Sequence, residues 1–155
     1  MPEFITYIVT NRYAIIGAIL LACFVGYVAY LNFRLNELNA ASAKFRTAII
    51  AELGTLYPII TRWPQNEEAF FKAAFPNLKN AVTEFSNFVP WYRRRAFDNA
   101  WLRYYCAYPK QTTSQIYHHY MAFQDNGETA SQAQEIRNKT FHANVSNLLY
   151  FAGYK

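Results

Sequence analysis

Glycine, cysteine and histidine are all scarce in this chain, and each shortage removes a class of chemistry. Five glycines scattered through 155 residues leave no glycine-rich loop, so no cradle of unobstructed backbone N–H groups for a phosphate can be drawn. The two cysteines are Cys23 and Cys106; they form no disulfide framework and mildly favour a reducing compartment. Of three histidines, His118 and His119 are adjacent, and neighbours on a helix point about 100° apart, which suits packing better than joint metal ligation. No His-x-x-x-His, Cys-x-x-Cys, paired-carboxylate or nucleophile signature accompanies them, and no catalytic residue, metal ligand, cofactor or small-molecule substrate is indicated. Charge is sparse as well, at 16% of residues, while Phe, Tyr and Trp make up 19%. So much apolar surface excludes disorder for most of the chain. The length allows one membrane segment and one compact domain of about 120 residues.

Between Arg12 and Arg34 lie 21 residues without a charge, "YAIIGAILLACFVGYVAYLNF". At about 1.5 Å per residue they reach some 30 Å, the thickness of a bilayer's hydrocarbon core. Tyr13 at one end, with Tyr27, Tyr30 and Phe33 toward the other, suit the interfacial belts where aromatic rings settle. A cleavable signal peptide is the competing reading, but its apolar core is normally about 7–15 residues behind a basic start. Here the first ten residues carry Glu3 and no basic residue. An uncleaved anchor is expected. Arg12 alone precedes the span, whereas Arg34, Lys44 and Arg46 follow it, so the bulk of the protein is expected on the cytoplasmic side.

After the span, Leu35, Leu38, Phe45, Ile49, Leu53 and Leu56 recur at helical spacing, which predicts one long helix continuing out of the membrane until Pro58 and Pro64 break it. Asn66 can cap a new helix carrying Glu67 and Glu68 in its first turn. That helix is expected to stop at Pro76, with another over "NLKNAVTEFSNFV" bearing the stripe Leu78, Val82, Phe85 and Val89. A third runs from about Pro90 to Tyr105, "AYPKQTT" is a loop, Ser114–Phe123 a short helix and "QDNGE" a turn. A last helix over Ser131–Phe151 turns Ala133, Ile136, Phe141, Val145, Leu148 and Leu149 inward. The expected fold class is all-α: a short flank over 1–12, a transmembrane helix over 13–33, a juxtamembrane helix over 34–62 and a cytoplasmic helical domain over 63–155, built as a small bundle.

Most of the domain's excess charge sits in one helix. Arg93, Arg94, Arg95 and Arg103 against Asp98 leave Trp91–Tyr105 at net +3. On a helical projection Phe97, Ala100, Trp101 and Tyr104 fall within about 60° of one another, a compact stripe for a core. Asp98 lies within ion-pairing reach of Arg94 and Arg95, and Trp91 stands four residues before Arg95, where it can stack on the guanidinium. Arg93 falls near the aromatic stripe and is expected to need a specific acceptor. The structural reading makes Phe97, Asp98, Trp101 and Tyr104 architectural; the functional one makes Trp91, Arg93, Arg94, Arg95 and Arg103 a docking patch for a partner or a phosphate. Asn138-Lys-Thr140 and Asn144-Val-Ser146 match the glycosylation triplet but fall inside an expected cytoplasmic helix, and are read as chance.

The segments "RRRAFDNAWLRYY" and "VSNLLYFAGYK" resemble small bacterial membrane-anchored proteins that share a Phe-Asp-x-Ala-Trp helix and a closing Leu-Leu-x-Phe-Ala helix. The resemblance covers roughly Phe71–Lys155. It implies a bacterial membrane setting and a helical fold, and it transfers no activity and no site. The expected protein is a non-enzymatic, single-pass accessory protein of the bacterial inner membrane. Its partners are the lipid bilayer and other membrane-protein subunits or a second copy of itself, with nucleic acid the least favoured. The alternative is a membrane-tethered effector or sensor whose basic face, Arg93–Arg95 with Arg103, binds nucleic acid or anionic lipid. An enzyme using His118 or His119 comes third.

Overall fold

The computed structural model describes residues 12–106, 117–120 and 130–153. The expected N-terminal flank, the loop at 107–113, most of the helix at 114–123 and the turn around position 127 lie outside the described residues. Among the described residues the fold is all-α, with four α-helices, one short 3-10 helix and no strand. The helices are α1 (Arg12–Leu53), α2 (Glu67–Ser86), α3 (Trp91–Tyr105) and α4 (Ala130–Tyr150), with the 3-10 turn at His118–Tyr120.

The chain divides into two compact units, Met1–Asn39 and Ala40–Lys155. In the first, the described residues form the apolar part of α1. Every side chain from Tyr13 to Asn36 except Ile15 is exposed. The helix is long and apolar enough to cross a membrane by length and composition, and none of its apolar window is buried. A soluble core helix of that composition would hide those side chains, because exposing them to water costs about 1.5–3 kcal/mol each for the large ones.

The second unit begins with the last turns of α1, where Ser42, Phe45, Ile49 and Leu53 recur every three or four residues and are buried. Phe45 stacks on Phe85 of α2 at 4.6 Å and meets Phe97 of α3 edge-on at 6.0 Å. The helix ends at Leu53, ahead of the prolines expected to break it. The Leu53 carbonyl accepts the N–H groups of both Leu56 and Tyr57 at 2.8 Å, which turns the chain. Gly54 sits where an added Cβ would come within 2.9 Å of the Ile50 carbonyl oxygen, so a larger residue there would force the turn apart.

Helix α2 starts as its residues dictate: the Asn66 side chain accepts the Ala69 N–H at 2.9 Å, and Glu67 and Glu68 occupy the first turn. It does not stop at Pro76. The helix runs unbroken through that residue to Ser86, because Pro76 lies on the exposed side, where water can take the carbonyl that loses its N–H partner. Phe71, Ala74, Leu78, Val82 and Phe85 form one buried stripe across the proline, and that shared burial holds both halves in register.

Phe71 is the hub of the core. It is fully buried and touches the rings of Trp63, Tyr117, Tyr120 and Phe141. Helices α3 and α4 run antiparallel beside each other: Phe97 meets Phe151 at 5.3 Å, while the Arg103 carbonyl accepts the Asn144 side chain at 3.3 Å. In α4 the expected inward Ile136 is 54% exposed, and its neighbour Arg137 is buried instead. Arg137 turns in because a carboxylate awaits it: its guanidinium pairs with Glu67, and its Cζ lies 4.6 Å from the centre of the Trp63 ring.

Candidate functional site

Helix α3 divides its residues between two roles. Phe97, Ala100 and Tyr104 are buried and Trp101 is half-buried; Trp101 stacks on Phe75 at 5.8 Å and packs against Tyr104 and Tyr105. Trp91, Tyr92, Arg94, Arg95, Asp98 and Arg103 are exposed to solvent. Trp91 is 85% exposed and Tyr92 69%, a high exposure for rings of that size.

The arginines part company. Arg93 is half-buried, and its guanidinium lies over the Tyr150 and Phe151 rings at 5.3 and 5.0 Å, so aromatic faces at the end of α4 take the place of the expected acceptor. Arg94 donates to the Ser86 carbonyl at 3.3 Å and ties the start of α3 to the end of α2. The expected tether is absent: among the described residues Asp98 forms no ion pair with Arg94 or Arg95. Both partners are solvated, and a surface pair at this spacing gains only about 0.2–0.5 kcal/mol against the entropy of holding two side chains. Trp91 packs edge-on against Tyr92.

Arg103 stands apart from the other three and borders a half-open groove of about 320 Å³ between α3 and α4. One wall is Ala96, Asn99, Ala100 and Arg103; the other is Asn144, Asn147, Tyr150 and Phe151. The spacing on α3 is three, one and three residues, which brings the wall to one face. The Asn144 side chain donates to the Tyr120 hydroxyl at 2.9 Å as well as to the Arg103 carbonyl. A carbonyl only accepts, so the amide nitrogen must face Arg103, and the amide oxygen remains as an acceptor. Asn99 and Asn147 are exposed, and their side chains make no hydrogen bond with other described residues. Among the described residues no carboxylate lines the groove.

Beneath the groove lies a buried phenol cluster. Tyr104, Tyr117 and Tyr120 are each at most 1% exposed. Burial raises the pKa of all three, with the neighbouring phenols adding to it for Tyr104 and the Asn144 hydrogen bond opposing it for Tyr120. These phenols stay protonated at neutral pH and pack the core. The His119 ring nitrogens are buried without a hydrogen-bond partner among the described residues. Burial pushes the His119 pKa down to about 4, partly offset by the backbone of Tyr104 and Arg103. The His118 side chain lies outside the described residues.

Sequence reasoning does not single out Asn99, Asn144 or Asn147 as a set. Asn144 attracts notice only through its Asn-x-Ser triplet, although Asn144, Asn147 and Phe151 stand three and four apart and so share a face of α4. What the sequence does not carry is that this face opposes the alanine-bearing side of α3. No protein-family model matches the chain, and no curated protein or solved structure matches it.

Proposed function

We propose that this is a non-enzymatic, single-pass accessory protein of the bacterial inner membrane. Its helical domain faces the cytoplasm and docks onto a larger membrane assembly or a second copy of itself. The observation that carries the reading is the outer side of α3, where Trp91 and Tyr92 are exposed beside Arg94 and Arg95. Trp, Tyr and Arg dominate the energetic centres of protein interfaces, because they combine large apolar area with few rotatable bonds or with several donors. The membrane setting is supported by the exposed apolar run of α1, the orientation by the basic residues Arg34, Lys44 and Arg46 that follow it. The bacterial setting rests on the resemblance carried by the α3 and α4 segments.

The test is extraction of the native protein in mild detergent, at low and high salt, with co-purifying species identified by mass spectrometry. A stable complex that resists salt, and that the Trp91→Ala, Tyr92→Ala double variant no longer forms, is the expected result. Both residues are largely exposed, so the variant keeps its fold. A lone chain at every salt concentration overturns the reading. The second reading, a tethered effector or sensor that binds anionic lipid or nucleic acid, draws on the solvated Arg95 and Arg103. It requires binding that weakens steeply as salt rises.

A further inference from the structure

We infer that the groove between α3 and α4 holds an extended, acidic peptide segment of the docking partner. The inference rests on the docking reading and names the chemistry the partner must bring. Asn99, Asn144 and Asn147 bond to the main chain of the segment, and Arg103 takes one of its carboxylates.

The shape comes first. A small ligand is normally enclosed, with about 70–90% of its surface covered, whereas this groove is half-open along two antiparallel helices. A chain segment fits such a trough and a compact molecule is left largely in water. The hydrogen-bonding complement comes second. A carboxamide presents an acceptor and two donors in one plane, matching the C=O and N–H of a peptide unit. Asn99 and Asn147 bond through neither function to another described residue, and Asn144 keeps its amide oxygen for an incoming N–H, since its nitrogen is committed to Tyr120 and Arg103. Carboxamides on both walls pair with backbone and so tolerate many side-chain sequences.

Charge selects among those sequences. Arg103 sits on one wall, and among the described residues no carboxylate lines either. Asp98, the acidic residue of α3, is two positions beyond Ala96 and therefore about 200° round the helix, on the far side. At the other end Arg93 covers Tyr150 and Phe151. Ten helical residues separate the two arginines, about 15 Å, a span that four or five residues of extended chain cover at about 3.3 Å each. The alanines between them leave room for that chain to approach. A single-stranded nucleic acid would want several stacking rings and a continuous basic track, and the aromatic rings here are confined to one end.

The probe is a fluorescent, acetylated and amidated hexapeptide of alternating Glu and Val, read by anisotropy against the full chain in detergent micelles. Its Gln-Val counterpart and an oligothymidylate serve as comparisons. The Glu peptide is expected to bind at least tenfold more tightly than the Gln peptide, and Arg103→Gln or Asn147→Leu to weaken it about tenfold each. Both substituted side chains are exposed, so unchanged melting separates a binding loss from misfolding. Equal affinity for the Glu and Gln peptides overturns the inference, as does wild-type binding by the Arg103→Gln, Asn147→Leu double variant, or tighter binding of the oligothymidylate. If that double variant still extracts with its native complex and fails only to bind peptide, the groove is not where the partner docks and the docking reading stands. If native extraction yields a lone chain while the peptide still binds through Arg103, the docking reading falls and the groove remains a peptide site.

Discussion

Arg137 and Glu67, 70 residues apart in sequence, form an ion pair under the indole of Trp63. The Trp63 Nε1–H donates to the same carboxylate oxygen at 2.7 Å, so one acceptor joins the segment before α2, the first turn of α2 and the middle of α4. The pair is mostly out of water, with side-chain exposures of 9% for Arg137 and 18% for Glu67.

Removing one partner of this pair leaves the other charge buried, a loss of about 3–5 kcal/mol in such settings. Glu67→Gln keeps an acceptor for Trp63 but strands Arg137, and is expected to cost about 3 kcal/mol in chemical unfolding of the solubilised protein. Glu67→Leu with Arg137→Met is expected to lose far less, since both charges leave together. A Glu67→Gln loss below about 1 kcal/mol would show that water reaches the pair and that the clamp contributes little.

Pro76 breaks the hydrogen-bond ladder of α2 on its exposed side. Pro76→Ala restores an N–H for the carbonyl four residues earlier and removes the ring clash, so stability is expected to rise by about 1–3 kcal/mol. Melting of the two proteins under matched conditions checks this. A fall in stability would mean that the packing of the buried stripe depends on a bend at Pro76.

His119 supplies a pH dependence whose sign is set by burial. Its pKa is pushed down to about 4 from an ordinary 6.5, so the unfolded chain binds the proton more readily than the folded one. Stability is unaffected above about pH 6.5 and declines as pH falls from 6.5 toward 4, by about 1–2 kcal/mol once partial solvent screening is counted. Comparing unfolding at pH 7 and pH 5 in the wild type and in His119→Gln isolates the effect, because carboxylate titration is common to both. Parallel losses in the two proteins would remove His119 as the cause.

Cys23 lies on the exposed apolar surface of α1, while Cys106 is buried in the second unit. On the proposed membrane placement, a water-soluble, impermeant maleimide is expected to label neither cysteine in intact membranes, Cys23 being shielded by lipid and Cys106 by protein. Peptide mapping by mass spectrometry resolves the two sites, and SDS should expose both. Rapid labelling of Cys23 in untreated membranes would place that stretch of α1 in water.

Much of the helical layout is readable from local pattern. The uncharged run from Tyr13 to Phe33 announces a helix of membrane length, Asn66 with Glu67 and Glu68 announces the start of α2, and Phe97, Ala100 and Tyr104 announce the buried side of α3. Each of these signals depends on residues within a turn or two of one another, where spacing and capping chemistry act directly. Three features escape that logic. Pro76 reads as a stop and is passed through, because burial of Phe71 and Ala74 before it and Leu78 and Val82 after it outweighs one lost hydrogen bond on the wet side. Ile136 reads as core, yet its neighbour Arg137 is buried in its stead, because Glu67 and Trp63, far away in sequence, offer a charge partner and a ring face. Asn99, Asn144 and Asn147 carry no local signal that joins them, and they meet across one groove only once α3 and α4 are set antiparallel. The sequence alone therefore determined the apolar helix over Tyr13–Phe33, the start of α2 after Asn66 and the apolar stripes of α2 and α3, since those follow from capping chemistry and the 3.6-residue period. Tertiary structure decided which charge is buried and which polar residues face one another, because those depend on contacts between segments that no local spacing encodes.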